Sequence, residues 1–519
     1  MADVILVFPE TSYRDRNTTG RMLPLAVLQV AAPLVQQGRT VKIIDQRVTP
    51  TWREELRDEL RRGGTVCVGI SSMTGPQILG GIEAARIVRD VAPGLPVVWG
   101  GVHPSLEPRQ TIEDEHVDII VIGEGEETFS ELVQRLDNKE SLEGLAGVYY
   151  KNGTGPSSPS SATSGMQTGL PMLSNGSALP NHIHANPERP MPELDKMPWP
   201  VYNLVNVSQY MDSAFHRGRG LAMVTSRGCP YRCAYCYVQS YFSRRWKARS
   251  AESVVDHMAR LKRDYDINLI FLLDDEFFID QRRVSKIAAL LEKTPLSLTI
   301  ENANMTIREV LRYDEELLKQ MHRLGLRQLF LGVETGTDEM MAKISRDITV
   351  DEVIKANMKL RRVGITPIYS WMTGFPGETT WHTKQTLQLM RRLLQDNPQT
   401  HVYSLNIYSP YPGTPLYEKC KEDGMESPQR LIEWTRTDCL EPYAKQSGAA
   451  ERSFYTKAQI MATYIDRKIW EHQRGIKGWL KRLYSRVVQF RIKHDWYGFM
   501  PEIAILRILR MRYRQQYMD

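Results

Sequence analysis

Short β-branched runs alternate with amphipathic stretches twice over along this chain, and that alternation constrains its fold more than any other feature. In residues 1–150 the runs fall at 4–8, 41–44, 66–70, 96–99, 117–122 and 147–150, with helical stretches at 25–36, 76–91 and 126–136 among them. Continuous apolar strands separated by helices imply a parallel sheet covered on both faces. The ligands of such a sheet bind at the C-terminal ends of its strands. The second series has strands expected at 221–225, 269–273, 296–301, 328–333, 367–372 and 402–407, with helices such as 251–263 and 350–363. Six such units fit an open, partial (β/α)6 barrel better than a closed one of eight.

Between the two series, residues 151–190 break the pattern: 18 of these 40 are Gly, Ser or Pro. Such a segment buries too little apolar surface to offset its ordering entropy, so a disordered linker is expected. Residues 421–519 have helical periodicity, many aromatics and a basic excess. From Lys457 to Asp519 there are 14 Lys or Arg against 5 Asp or Glu, although the whole chain is only +6. The expected organisation is thus an α/β domain at 1–150, the linker at 151–190, the partial barrel at 191–420 and a helical basic C-terminal region at 421–519. No stretch reaches the roughly 18 apolar residues of a membrane span. The N-terminus lacks the basic region and cleavage site of a secretory signal. A cytoplasmic location is expected, and no nucleic-acid partner.

Six cysteines are too few for a disulfide scaffold in a chain of 519 residues, and three of them, Cys229, Cys233 and Cys236, lie within eight residues. The run Thr225-Ser-Arg-Gly-Cys229-Pro-Tyr-Arg-Cys233-Ala-Tyr-Cys236 follows directly on an expected strand. Compactly spaced thiolates let one loop wrap one iron–sulfur cubane. With three thiolates the fourth iron lacks a protein ligand, and an open coordination site is where exogenous ligands bind. The alternative is a zinc site using Cys233 and Cys236, which would need a further ligand. The nearest histidines, His216 and His257, have no ligand-like spacing.

The Cys-x3-Cys-x2-Cys spacing, with an aromatic before the last cysteine, resembles the radical S-adenosylmethionine (SAM) superfamily. The resemblance implies a 4Fe–4S cluster on Cys229, Cys233 and Cys236, with SAM chelating the unique iron. In that family the reduced cluster cleaves SAM to methionine and a 5′-deoxyadenosyl radical. It implies further that Tyr235 packs near the adenine and that Asp275 and Glu276, of Asp274-Asp275-Glu276, receive the SAM amino group. Glu334, of Gly332-Val333-Glu334-Thr335-Gly336, would make polar contacts to SAM, and Gly374, of Gly374-Phe375-Pro376-Gly377-Glu378-Thr379, would open the adenine-side loop. Acidic residues and glycines at strand ends are also ordinary turn chemistry.

Methylthiotransferases of this superfamily carry three further cysteines in the leading domain, whereas residues 1–150 contain only Cys67. The leading domain instead resembles the Rossmann-like module of cobalamin-binding radical SAM enzymes. Met22-Leu23-Pro24-Leu25-Ala26 is similar to its early helix. Gly69-Ile70-Ser71-Ser72-Met73-Thr74 is similar to its serine-rich turn, Gly100-Gly101 to its Gly-Gly, and Gly123-Glu124-Gly125-Glu126 to its closing turn. Ser72, Thr74, Gly100, Gly101, Gly123 and Glu124 are therefore the candidate cobalamin contacts. Cobalt-ligating relatives carry Asp-x-His-x-x-Gly, where this chain has Asp45-Gln46-Arg47-Val48-Thr49-Pro50. Arginine is no ligand, so cobalt should lack a protein histidine, with His103 the less favoured substitute.

The resemblance implies that a methyl group is delivered to an unactivated carbon of a small molecule, through cobalamin remethylated by a second SAM. Electrons would come from a low-potential donor, ferredoxin or flavodoxin. A cyclase or oxidase of the same architecture, similar to the anaerobic magnesium-protoporphyrin ester cyclase, is the main alternative. A non-catalytic cobalamin or redox sensor is another, against which the intact cysteine triad counts. The substrate and the catalytic residues are not legible. The C-terminal region interleaves apolar and basic residues at 479–488 and 503–510, which suits either a cap on the barrel or peripheral contact with an anionic membrane serving a hydrophobic substrate.

Overall fold

In the computed structural model the described residues are 1–10, 22–153, 180, 182–211, 218–435, 449–471, 475–498 and 500. The N-terminal sheet comprises β1 (Val4–Phe8), β2 (Val41–Asp45), β3 (Cys67–Ser71), β4 (Val97–Gly100), β5 (Ile119–Val121), β6 (Val148–Lys151) and β7 (Ile183–Ala185), in the order 2-1-3-4-5-6-7. Alternate residues of β1 enter opposite layers, as the period of two requires. Val4 and Leu6 pack with Leu28, Ala31 and Phe129, while Ile5 and Val7 pack with Trp52, Ile78 and Ile82. Helices on both faces thus account for the uninterrupted apolar runs.

Two features depart from the expectation. β1 to β5 are parallel, but β5–β6 and β6–β7 are antiparallel, so the sheet is mixed. After the helix Gly125–Asp137, residues 138–147 carry the chain back to the C-terminal end of β5 before it re-enters the sheet. The expected linker also ends early. Ile183–Ala185 is ordered as an edge strand on Tyr149, Tyr150 and Lys151, because backbone pairing supplies what three residues of modest hydrophobicity lack. Residues 154–179 and 181 of that linker lie outside the described residues.

The second unit contains β8 (Gly220–Met223), β9 (Ser226–Gly228), β10 (Trp246–Ala248), β11 (Leu269–Leu272), β12 (Thr299–Glu301), β13 (Ala303–Asn304), β14 (Gln328–Glu334), β15 (Thr366–Thr373) and β16 (His401–Ile407). Parallel pairing joins β8, β11 and β12 in one sheet and β13 to β16 in another. Only Asn302, at φ 58°, separates β12 from β13. Counting that pair as one strand gives six parallel positions, the partial barrel expected. β9 and β10 form a small antiparallel ladder beside the cysteine run.

The C-terminal helices Ala449–Ile465 and Gly475–Lys493 pack on the barrel, the first against β16 and both against the helix Thr380–Asp396. No helix among the described residues is long and apolar enough to cross a membrane. The amphipathic stretch at 503–510 lies outside the described residues.

Candidate active site at the junction of two domains

The cysteine loop is held by the end of β11. Asp274, fully buried, accepts hydrogen bonds from the Thr225 amide (2.6 Å), the Thr225 hydroxyl (2.5 Å) and the Ser226 hydroxyl (2.7 Å). Arg283 donates to the same Thr225 hydroxyl at 2.6 Å. Asp275 accepts from the Gly228 amide at 2.8 Å. Gly228 has φ +81°, and a Cβ there would lie 2.1 Å from the Arg245 carbonyl oxygen, so the turn into Cys229 admits only glycine.

Cys229, Cys233 and Cys236 are free thiols at this turn, Cys233 buried and the others half-buried. Among the described residues no three His, Cys, Asp or Glu side chains converge as the ligands of one metal ion do. Three thiolates spread along one loop suit a cubane, in which each iron takes its own ligand, and the donor set fits the expected cluster.

A second group lies beside the loop. Tyr235 donates its hydroxyl proton to Glu334 at 3.2 Å, and Ser370 lies 3.4 Å from the same carboxylate oxygen. Glu334 is buried, at φ 73°, where the register of β14 against β15 shifts. A non-glycine residue held in the left-handed region marks a site the surroundings impose. Arg346 donates to the Cys233 sulfur at 3.2 Å and also to the Gly332 carbonyl. It therefore ties the cysteine loop to the end of β14. Gly374, at φ +83°, begins a loop whose Gly374 and Phe375 amides donate to Glu378 at 2.6 and 3.0 Å. Burial pushes the Glu378 carboxyl up to about 7. Glu276 is buried and accepts from the Phe278 amide at 3.3 Å, and burial raises its carboxyl far above the ordinary range.

Between the two domains lies a cavity of about 340 Å³. The N-terminal domain supplies Leu6 from within β1, the C-terminal half of β3 (Gly69–Ser71), Gly100 and Gly101 at the end of β4, the turn Gly123–Glu126 after β5, and the helix Leu25–Gln36 through Leu25, Val27 and Val30. The barrel supplies Arg227, Tyr237, Tyr241 and Asp275. Among mainly apolar side chains, glycines leave part of the N-terminal wall, the floor of the cavity, open: a Cβ on Gly123 would meet nothing within 4 Å, and one on Gly100 nothing closer than 3.7 Å. Gly101, at φ +98°, has the Ser72 oxygen 2.8 Å from where a Cβ would sit. A glycine-built floor lets a bulky ligand approach the backbone, and it fits the expected cobalamin.

Charge crosses the cavity wall. Arg227 pairs with Glu124 and Glu126 of the opposite domain, all three largely buried. Burial pushes Glu126 up to about 7, Asp275 up to about 6 and Arg227 down to about 10. Tyr241 donates to the Gly123 carbonyl at 2.7 Å, so a second barrel side chain fixes the turn.

Of the residues expected from sequence, Gly100, Gly101, Gly123, Glu124 and Asp275 meet at the cavity; Tyr235 adjoins Cys236 and meets Glu334, Gly374 precedes Phe375, whose ring packs against Tyr235, and the Glu276 carbonyl accepts from the Ser226 hydroxyl. Ser72 and Thr74 do not line the cavity. The Ser72 amide donates to the Gly100 carbonyl at 2.9 Å, and Thr74 lies 3.0 Å from His103 Nδ1. Ser71 takes the lining position instead. His103 is fully buried against the edge of Trp434 and does not line the cavity, and burial pushes it down to about 3. Arg47 stacks over Phe8 and binds Asp45 (2.9 and 2.7 Å) and the Met22 carbonyl (3.0 Å); it does not line the cavity. Sequence reasoning missed Arg227, Tyr237, Tyr241 and Arg346 as site residues. The first three sit in or next to the cysteine motif, which was the available signal; Arg346 has none.

Residues 223–390 match the radical SAM superfamily, and residues 15–133 match the B12 binding domain. An uncharacterized methyltransferase of Pyrococcus horikoshii is 26% identical over 93% of this chain and 99% of its own length. The anaerobic magnesium-protoporphyrin IX monomethyl ester cyclase of Cereibacter sphaeroides is 25% identical over 81% of this chain and 64% of its own length. Among solved structures, the cobalamin-dependent SAM radical enzyme OxsB, with aqua-cobalamin and SAM bound, superposes with a TM-score of 0.71 at 17% identity, covering 99% of this chain and 75% of that one.

Proposed function

We propose that this chain, which joins a B12-binding domain to a radical SAM domain, methylates an unactivated carbon of a small, hydrophobic molecule. In this reading it works in the cytoplasm at the periphery of a membrane, with ferredoxin or flavodoxin as electron donor. The observation that carries the reading is the shared cavity. Its glycine floor belongs to the N-terminal domain, while its other wall carries Arg227, Tyr237, Tyr241 and Asp275 from the cysteine loop and β11. Whatever binds on the floor is therefore presented to the cluster domain.

When bound, the cluster supplies the electron that cleaves SAM, and cobalamin supplies the methyl group. Cys229, Cys233 and Cys236 hold the irons. Arg346 donates to the Cys233 sulfur and orients the loop. Tyr235, Glu334 and the Gly374 loop form the SAM wall, with Asp275 and Glu276 as acceptors for its amino group. Gly100, Gly101, Gly123 and Glu124 form the cobalamin floor, and Ser72 and Thr74 shape the turns beneath it. Buried aromatic rings around the cavity exclude water from the reacting carbon.

Anaerobic reconstitution with iron, sulfide, cobalamin, SAM and reductant tests the reading by its products. Both 5′-deoxyadenosine and S-adenosylhomocysteine are expected once a methyl acceptor is present. The similarity to the ester cyclase supports ring formation or oxidation as a second reading, and 5′-deoxyadenosine alone would select it. Neither product would reject both.

A further inference from the structure

The helix Gly475–Lys493 has two apolar faces, whereas a helix capping a soluble domain needs one. Its inner face is accounted for. Val488 and Ile492 are fully buried, Tyr484 packs edge-on against Tyr464, and Gln489 donates to the Ile465 carbonyl at 2.9 Å. Its outer face carries Ile476, Trp479, Leu480, Leu483 and Phe490, which are 78, 55, 51, 42 and 53% exposed. At about 100° per residue these five side chains fall within a sector of about 100°. Seven of the twelve exposed large hydrophobic side chains among the described residues lie between Ile469 and Trp496, so the exposure is a patch and not a scatter.

The charge pattern identifies what covers it. The nineteen residues of the helix include six Lys or Arg and no Asp or Glu. Arg486 and Lys493 are exposed on the flank of the stripe. An apolar stripe with tryptophan, on a helix whose charged residues are all basic, is complementary to a lipid surface that is apolar within and anionic at its headgroups. A protein partner would more readily be met by mixed charge at the rim of such a patch.

We infer that the outer face of the helix 475–493 docks the enzyme on an anionic bilayer, lying in the interface plane with Trp479, Leu480, Leu483 and Phe490 inserted and Arg486 and Lys493 at headgroup level. This specifies the peripheral contact of the reading above. Binding is scored without reductant or turnover, so its failure leaves the radical chemistry untouched.

The test is co-sedimentation of the full chain with vesicles of phosphatidylcholine alone and of phosphatidylcholine mixed with phosphatidylglycerol. Binding to the mixed vesicles, weakened by salt at about 0.5 M, is expected. Leu480→Glu with Leu483→Glu should lower the partition coefficient by at least about tenfold. Arg486→Glu with Lys493→Glu should abolish the preference for phosphatidylglycerol. Both positions of each pair are exposed, so unchanged circular dichroism and melting temperature will accompany these losses. Three results would overturn the inference: no pelleting with either vesicle at low salt, pelleting unaffected by both double variants, or a wild-type dimer that Leu480→Glu with Leu483→Glu converts to monomer. The last would assign the face to a second copy of the chain.

Discussion

Replacing Arg227 by methionine removes the guanidinium that pairs with both Glu124 and Glu126 across the domain junction. The side chains of Arg227, Glu124 and Glu126 are 12, 14 and 4% exposed, so neither carboxylate can recover full hydration when the guanidinium is lost. Deleting one partner of a buried ion pair costs about 3–5 kcal/mol, because it leaves an uncompensated buried charge. The pH dependence identifies the cause. Glu126 stands at about 7 in the folded chain with Arg227 present, above its unfolded value, so the folded state binds its proton more tightly. That contribution to stability is present at low pH and is lost as pH rises through 7. Removing Arg227 raises the folded value further, so the variant's deficit should grow from pH 6 to pH 8 by up to about 1.4 kcal/mol per unit. Urea unfolding of wild type and Arg227→Met at pH 6, 7 and 8 measures both quantities. Adding Glu124→Gln and Glu126→Gln to the variant should recover more than half of the loss. A deficit below about 1 kcal/mol at pH 8, or one that does not change with pH, would refute the reasoning.

Gly101→Ala places a Cβ 2.8 Å from the Ser72 oxygen in a backbone region reserved for glycine, and should cost about 1–3 kcal/mol; cobalamin retention on gel filtration should fall with it, and full retention in a stable variant would contradict the floor assignment. His103 and His257 are held neutral by burial, each pushed down to about 3. Unfolded histidine takes up a proton below about 6.5, so each should withdraw up to about 1.4 kcal/mol of stability per pH unit from there down to its folded value. The wild type should therefore lose stability more steeply than His257→Gln between pH 6 and pH 4, and equal slopes would refute the assignment. Electron paramagnetic resonance of bound Co(II) should show no nitrogen hyperfine splitting from a protein histidine, since His103 does not line the cavity and Arg47 is engaged by Asp45. Splitting that disappears in His103→Ala would overturn that.

The parts of the fold carried by local pattern were readable from sequence. The helix expected at 350–363 is found as Val350–Val363, because its boundaries are chemical: a capping box of Thr349 with Glu352 opens it and Gly364, at φ 80°, closes it. The cysteine motif was readable because three ligands of one centre share one loop. Parts set by pairing at a distance were not readable. β7 is three residues inside a Gly-, Ser- and Pro-rich stretch and exists only because β6 offers an edge. Arg346 reaches Cys233 from 113 positions away, and Arg227 meets Glu126 across 101. No periodicity reports such contacts. Ser72 and Thr74 show the converse, since a serine-rich turn can be placed correctly while its side chains serve the turn and Ser71 faces the cavity.

Cys229, Cys233 and Cys236 alone are assigned to a cluster whose fourth iron is open to SAM. Electron paramagnetic resonance of the anaerobically reconstituted, dithionite-reduced protein, recorded with and without SAM, probes that open iron. One 4Fe–4S signal per chain is expected, with g-values that change when SAM is added. The signal should be lost in Cys229→Ala, Cys233→Ala or Cys236→Ala and kept in Cys67→Ala and Cys420→Ala. A signal indifferent to SAM, or one that also requires Cys67 or Cys420, would contradict that assignment.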